Sequence, residues 1–213
     1  MCRSQRVMDD DEAQRISDAA VRCLAERGFA GTTIRALAAA AEVPVGRIYE
    51  HHRSKQALLG EIAGAAHDAR LAQTLAAIEE ADGDPVARLE AVIWAHSDFH
   101  ARHAAVSRVA QAEVRHLAPA TQARIAALRD REHAILAEIV ADGIERGAFA
   151  PADPDTLASS LVAMCASVAS WFDPEAQTPR RIARTMCELA LRMTSAHGAG
   201  VASGARMAVP AAA

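Results

Sequence analysis

The stretch Thr32–His52, TTIRALAAAAEVPVGRIYEHH, places two short apolar patterns one after the other with only a few residues between them. Isolated helices below about 12 to 15 residues are marginal in water, so two such helices in succession must be held by a larger scaffold and serve as a presented surface. A helix-turn-helix meets both conditions. Its helices cross steeply, which calls for a small residue at the crossing, an apolar residue just after the turn, and another on the inner side of the second helix. Ala38, Val43 and Ile48 hold those places, and Ile34 and Leu37 complete the inner face of the first helix.

With Val43 and Ile48 turned in, the second short helix presents Pro44, Val45, Gly46, Arg47, Tyr49 and His51 outward, on an element narrow enough for a major groove about 12 Å wide. Arg47 is suited to guanine O6 and N7, Val45 to a thymine methyl, and the Tyr49 hydroxyl to a phosphate. Thr33 offers a hydroxyl and a helix N-terminus to phosphate, Lys55 offers charge, and Arg35 lies where it can touch base or backbone. The plainer reading is a helical hairpin whose arginines are merely solvated. Small, apolar and basic positions that agree along the whole stretch favour double-stranded DNA.

The formal charge of −4 over 213 residues argues against a uniformly basic surface. It is unevenly spread: residues 1–60 carry nine Arg or Lys against eight Asp or Glu. The basic character is local, as a phosphate-facing surface requires. No apolar run nears the roughly 20 residues of a membrane span, and the charged N-terminus has no signal-peptide core, so a cytoplasmic protein without a membrane partner is expected. Cys2, Cys23, Cys165 and Cys187 lack metal or redox spacing and read as buried thiols, with redox sensing as the lesser alternative.

Outward from the opening stretch, spacing predicts helices and no sheet. The first runs over about 11–27 and is stopped by Gly28; its acids Asp9, Asp10, Asp11 and Glu12 read as a first-turn cluster. The short pair occupies about 33–40 and 44–50. A long helix starts near Ser54, a good N-cap, and ends at DGDP. Further helices fall over about 85–102, through Val106, Val109 and Val114, over 119–146 up to a Gly147 turn, 155–172 and 179–193. The fold class is therefore all-α with about nine helices. Domain bounds are expected at 10–53 for DNA binding and 54–194 for the remainder; the Gly-, Ala- and Ser-rich 195–213 reads as a disordered tail.

The segment GFAGTTIRALAAAAEVPVGRIYEHHRSKQALL resembles the DNA-binding signature of the TetR family of transcriptional regulators, with Val43, Gly46, Ile48, Tyr49, His51, Lys55 and Leu58 at matching places over about residues 12–60. Two positions depart. Glu42 stands where the turn usually has Gly, costing about 1 to 2 kcal/mol if the left-handed backbone persists, and His52 replaces the usual Phe. The resemblance implies a homodimer that binds a palindromic operator, a small-molecule effector site in the later helices, and a four-helix dimer interface made by the last two helices of each subunit. Repression relieved by the effector is the default it implies.

The resemblance thus assigns Leu161, Met164, Val168, Trp171, Met186, Leu189 and Met193 to the dimer interface, because the apolar content of 155–193 exceeds what one face needs. Candidate effector contacts are Ile93, His96, Phe99, His100, Val109, Leu128, Glu132 and Ile135. The segments around LAPATQARIAALRDREHAIL and MCASVASWFDP are also similar to regulators of fatty-acid and sterol breakdown that answer acyl-CoA thioesters; a drug-like or other lipophilic effector stands equally open.

His96, His100 and His103 recur at i, i+4 and i+7, and two such histidines can chelate zinc. Metal binding needs third and fourth ligands fixed in place, so polar pocket lining is the favoured reading and no metal or other cofactor is expected. Arg129 and Arg131 are placed where they could meet an anionic ligand, with a solvated face as the favoured reading. No nucleophile–base arrangement, phosphate loop or pair of catalytic carboxylates stands out, which speaks against an enzyme. The rival is a helical lipid-binding or enzymatic protein that keeps the fold without specific DNA binding.

Overall fold

The computed structural model describes residues 3–81 and 83–195. Among them are nine α-helices and one 3-10 turn, with no strand: α1 (Arg3–Gly31), α2 (Ile34–Ala41), α3 (Val45–His51), α4 (Lys55–Glu80), α5 (Pro85–Arg102), α6 (Ala104–Ala112), the 3-10 turn Val114–His116, α7 (Pro119–Glu145), α8 (Pro154–Trp171) and α9 (Pro179–Thr194). Local chemistry sets many of the starts. Thr33, Ser54, Asp84, Asp153 and Thr178 each accept a hydrogen bond from the backbone N–H three residues on, a cap that contributes about 1 kcal/mol.

The first helix departs from expectation at its start: it begins at Arg3, so Asp9 and Glu12 sit inside it rather than in its first turn. At Gly28 the backbone leaves helical geometry, with φ 66° and ψ 177°, and a short helical turn follows the kink as far as Gly31. Thr32 anchors the kink, its buried hydroxyl shared between the carbonyls of Gly28 at 2.8 Å and Cys23 at 3.0 Å. The expected disordered tail lies, apart from Ser195, outside the described residues.

Two apolar cores organise the chain. The first joins Ile16, Ala20 and Leu24 of α1 to Leu37, Ala38 and Ile48, and then to Leu58, Leu59 and Ile62 of α4, Val109 and Ala110 of α6, and Ile125 of α7. The short pair α2–α3 is thereby stabilised by tertiary burial, as its length demands. This core crosses the sequence boundary expected at 53–54, so α4, α6 and α7 are part of what holds the helix-turn-helix. The second core gathers Leu89 and Ile93 of α5 with Leu136, Ile139, Leu161, Val168, Ile182 and Met186.

That second core takes up part of the residue set expected at the dimer interface. Leu161, Val168 and Met186 are buried within the subunit, and Met164 packs against the same core. Trp171, Leu189 and Met193 remain exposed, at 45%, 38% and 42%. Trp171, Leu189 and Met193 are thus the members of the set with most side-chain surface open to a partner, and Met164 is partly exposed.

Cys23, Cys165 and Cys187 are buried and free. Burial pushes the Cys165 thiol up to about 11 and that of Cys187 up to about 12, which keeps both protonated and unreactive.

Candidate DNA-recognition surface and effector chamber

The turn between α2 and α3 keeps its left-handed backbone. Glu42 has φ 57° and ψ 41°, the only positive φ outside glycine among the described residues. Its N–H and that of Val43 close on the carbonyls of Ala39 and Ala38 at 3.2 and 3.0 Å. The geometry expected of glycine is thus imposed on glutamate by the packing on either side. His52 fills the departure at the end of α3: it is buried, and its Nδ1 lies 2.8 Å from Glu61 Oε2. The contact is off the angle of a hydrogen bond, so both ring nitrogens lack a hydrogen-bond partner.

Of the outward set on α3, Pro44, Val45, Gly46 and Tyr49 are exposed, Tyr49 at 55%. A Cβ built on Gly46 would meet nothing within 4 Å, so this face is open to a large partner. Thr33 and Arg35 are exposed at the start of α2, and the Thr33 oxygen already accepts from Ala36 N–H at 3.1 Å.

Three basic positions stand differently from the sequence reading. Arg47 does not hang free: its Nε donates to Glu12 Oε1 at 2.6 Å, Nη2 to Asp9 Oδ1 at 3.0 Å, and Nη1 to Glu50. His51 Nε2 is 3.1 Å from the same Glu12 oxygen. The Arg47 guanidinium holds the Glu12 carboxyl below its ordinary range, and the three carboxylates hold Arg47 firmly protonated. Asp9 comes from the N-terminal extension of α1 and Glu12 from the body of that helix, both lying across from α3, while Glu50 is on α3 itself. Lys55 is a clamp rather than a free phosphate contact. Its Nζ donates to the carbonyls of Phe29 and of Thr32, the latter at 2.6 Å, and sits 4.0 Å over the Phe29 ring. The carbonyls at and just beyond the end of α1 lack helical partners, and the Lys55 ammonium supplies donors to them.

Polar side chains converge a second time where α4, α5, α6, α7 and α8 meet. A chamber of about 60 Å³ is lined there by His67 and Arg70 of α4, His96, Phe99 and His100 of α5, and Glu132 of α7, among others. Arg70 grips Glu132 with two nitrogens, Nε at 2.8 Å, and donates through Nη2 to His67 Nδ1 at 2.9 Å. His100 Nδ1 lies 3.0 Å from Ser107 Oγ. His96 Nε2 is buried with no hydrogen-bond partner. Burial, reinforced by Arg70, pushes His67 down to about 4 and His96 and His100 down to about 3. All three rings are neutral at pH 7.

An outer cleft of about 470 Å³ opens beside this chamber between α1, α4, α5 and α6, and Phe99 and Ala66 wall both spaces. Of the effector residues expected from sequence, His96, Phe99, His100 and Glu132 come together around the chamber. Ile93 and Val109 are instead buried in the two apolar cores, and Ile135 packs on the second. Leu128 does not line the chamber either. The 3.6-residue period turns each of these side chains away from the chamber face. His67, Arg70 and Ser107 were missed. No sequence signal sets the first two apart, since α4 also carries Glu61, Asp68, Gln73 and Thr74.

His103 leaves the histidine stripe at the junction of α5 and α6, its ring 4.7 Å from that of Phe99. No cluster of three or more metal-ligating side chains occurs among the described residues, and none of them belongs to a helix long and apolar enough to cross a membrane.

Comparison with known proteins agrees with both halves of this geometry. The model for bacterial regulatory proteins of the tetR family matches residues 16–62, and that for the tetracyclin repressor-like C-terminal domain matches residues 82–194. A tetR-family regulatory protein from Rhodococcus RHA1 is 34% identical, with a TM-score of 0.80 over 86% of this chain and 97% of that one. AibR, solved with isovaleryl coenzyme A and operator DNA, is 26% identical, with a TM-score of 0.74 over 84% of this chain and 97% of that one. The HTH-type transcriptional repressor KstR2 of Mycobacterium tuberculosis is 29% identical over 135 residues, a match spanning 62% of this chain and 66% of that protein. With a helix-turn-helix held on a helical second domain, and with both regions matched, the chain belongs to the TetR family of bacterial regulatory proteins, a DNA-binding transcriptional regulator and not an enzyme.

Proposed function

We propose that this regulator is a cytoplasmic repressor that reads a palindromic operator as a homodimer and is released when a small lipophilic or acyl-CoA-type effector enters its helical domain. The observation that carries the reading is on α4. At its first residue Lys55 clamps the carbonyls of Phe29 and Thr32 beside the helix-turn-helix. Twelve residues on, about 18 Å along the helix, His67 and then Arg70 form a wall of the chamber. One rigid element thus touches both sites, so a ligand that displaces it acts on the recognition helix without contacting DNA.

Two α3 helices must stand about 34–36 Å apart to enter successive major grooves. A small rotation of α4 in each subunit is enough to lose that spacing. Pro44, Val45, Gly46 and Tyr49, with Thr33 and Arg35, form the DNA-facing set, and Arg47 joins it on leaving its carboxylates. The Trp171, Leu189 and Met193 face joins the subunits. AibR, with both isovaleryl coenzyme A and operator DNA in its crystal structure, supports the acyl-CoA class.

The test is footprinting on the DNA upstream of the protein's own gene, followed by titration with isovaleryl coenzyme A and with lipophilic compounds. Protection of an inverted repeat that one of these ligands abolishes is the expected result. Non-specific binding alone would transfer the fold to the rival reading of a lipid-binding protein without an operator.

A further inference from the structure

We infer that the inner chamber receives a neutral, oxygen-bearing end of the effector, a carbonyl or hydroxyl, while the effector's apolar body lies in the outer cleft. This deepens the effector reading above and rests on it for the link to DNA.

The chamber leaves one buried nitrogen unmatched. His96 is 3% exposed and lines the space, and its Nε2 has no hydrogen-bond partner among the described residues. Buried polar atoms are nearly always satisfied, and an orphan on the wall of a cavity calls for a partner inside it. A hydrocarbon end would leave that nitrogen unmatched and would cover the polar edges of His67 and His100 as well. A hydroxyl satisfies it as donor or acceptor, and a carbonyl satisfies it where Nε2 carries the ring proton.

Charge argues for a neutral end. The Arg70 guanidinium is spent on Glu132. It also donates to His67 Nδ1, and since arginine only donates, that nitrogen carries a lone pair and the ring is uncharged. The burial of His96 and His100 keeps those rings uncharged too. A carboxylate placed here would find the buried cation already neutralised and Glu132 as a neighbour. Arg129 also lines the chamber but is exposed, so its charge is spent in water.

Size divides the ligand in two. About 60 Å³ admits a group of a few atoms, whereas the cleft beyond Phe99 offers about 470 Å³ walled by Val21, Ile62, Ala65, Ala69 and Val106, with Gln14, Ser17, Asp18, Glu61 and His103 completing its lining. The small polar end goes in first and the larger apolar part follows.

The test compares three ligands of one chain length, 2-octanone, 1-octene and octanoate, each titrated calorimetrically up to its solubility limit into the full chain. The ketone is expected to bind at least tenfold more tightly than the other two. His96→Leu should erase the preference and His96→Gln should keep it, with ligand-free melting curves showing that both variants fold. Equal or tighter binding of the alkene or the acid, binding of none of the three, or a preference that survives His96→Leu overturns the inference. Ketone binding that leaves the protein on its operator would overturn the effector reading instead and leave the chemistry of the chamber standing.

Discussion

Arg47 Nε stands 2.6 Å from Oε1 of Glu12, a residue thirty-five positions earlier on a different helix, and the same guanidinium reaches Asp9 at 3.0 Å. The side chain best suited to read a guanine is therefore held by two carboxylates of α1 when DNA is absent. On the proposed reading, entry into the groove would exchange those partners for a base edge and leave the carboxylates to repel nearby phosphates.

Glu12→Gln, alone or with Asp9→Asn, is expected to tighten operator binding about threefold to tenfold at low salt, with the gain shrinking as salt screens it. Arg47→Ala should weaken binding and relax preference at one operator position. Fluorescence anisotropy on the operator and on point-substituted versions measures both. Weaker binding by Glu12→Gln would mean that the carboxylate orients Arg47 for DNA rather than competing for it.

Glu42→Gly should stabilise the protein. The left-handed conformation at Glu42, φ 57°, costs a non-glycine residue about 1 kcal/mol or more, and part of the relief is offset by the greater freedom of glycine in the unfolded chain. A net gain of about 0.5 to 1 kcal/mol in denaturant unfolding is expected. No gain would show that the turn carries little strain.

Stability should fall with acid through the chamber histidines. Their folded values lie at about 3 for His96 and His100, below the ordinary 6.5. The unfolded chain thus takes up protons as the pH drops through about 6.5 while the folded chain does not, and each ring removes about 2 kcal/mol by pH 5. That contribution is intact above about pH 7.5. Urea midpoints across this range check the slope, and His96→Gln should flatten its share.

The exposed apolar face of α8 and α9 predicts assembly. Leu189 is 38% exposed beside Met193 at 42%, so Leu189→Glu should place a charge in the dimer seam without touching the subunit core. Sedimentation should show monomers, and operator affinity should fall by at least tenfold because two half-sites are no longer read together. A dimer that persists would place the seam elsewhere.

Much of this molecule is written locally. Alternation of apolar residues every three or four positions, an N-cap such as Thr33 or Ser54, and a stop at Gly147 depend on neighbours a turn away, so the helices and their order could be read from the chain. The helix-turn-helix was legible for the same reason: Ala38, Val43 and Ile48 lie within eleven residues of one another. The starting point of α1 was not, and its extension to Arg3 adds Asp9 to Glu12 as a partner of Arg47 on α3, a pairing across thirty-eight positions that no local pattern announces.

What the sequence by itself determined is therefore the all-α class, the short recognition pair and the apolar surplus of the last two helices. Tertiary structure alone decided the rest: that Lys55 clamps the end of α1, that Arg47 is tied to acids, that Leu161, Val168 and Met186 turn inward while Trp171, Leu189 and Met193 turn out, and that His67, Arg70, His96 and Glu132 share one chamber. The reason is distance along the chain. Arg70 and Glu132 are separated by sixty-two residues, and only the packing angles of whole helices settle which polar groups on their faces meet and which remain in water.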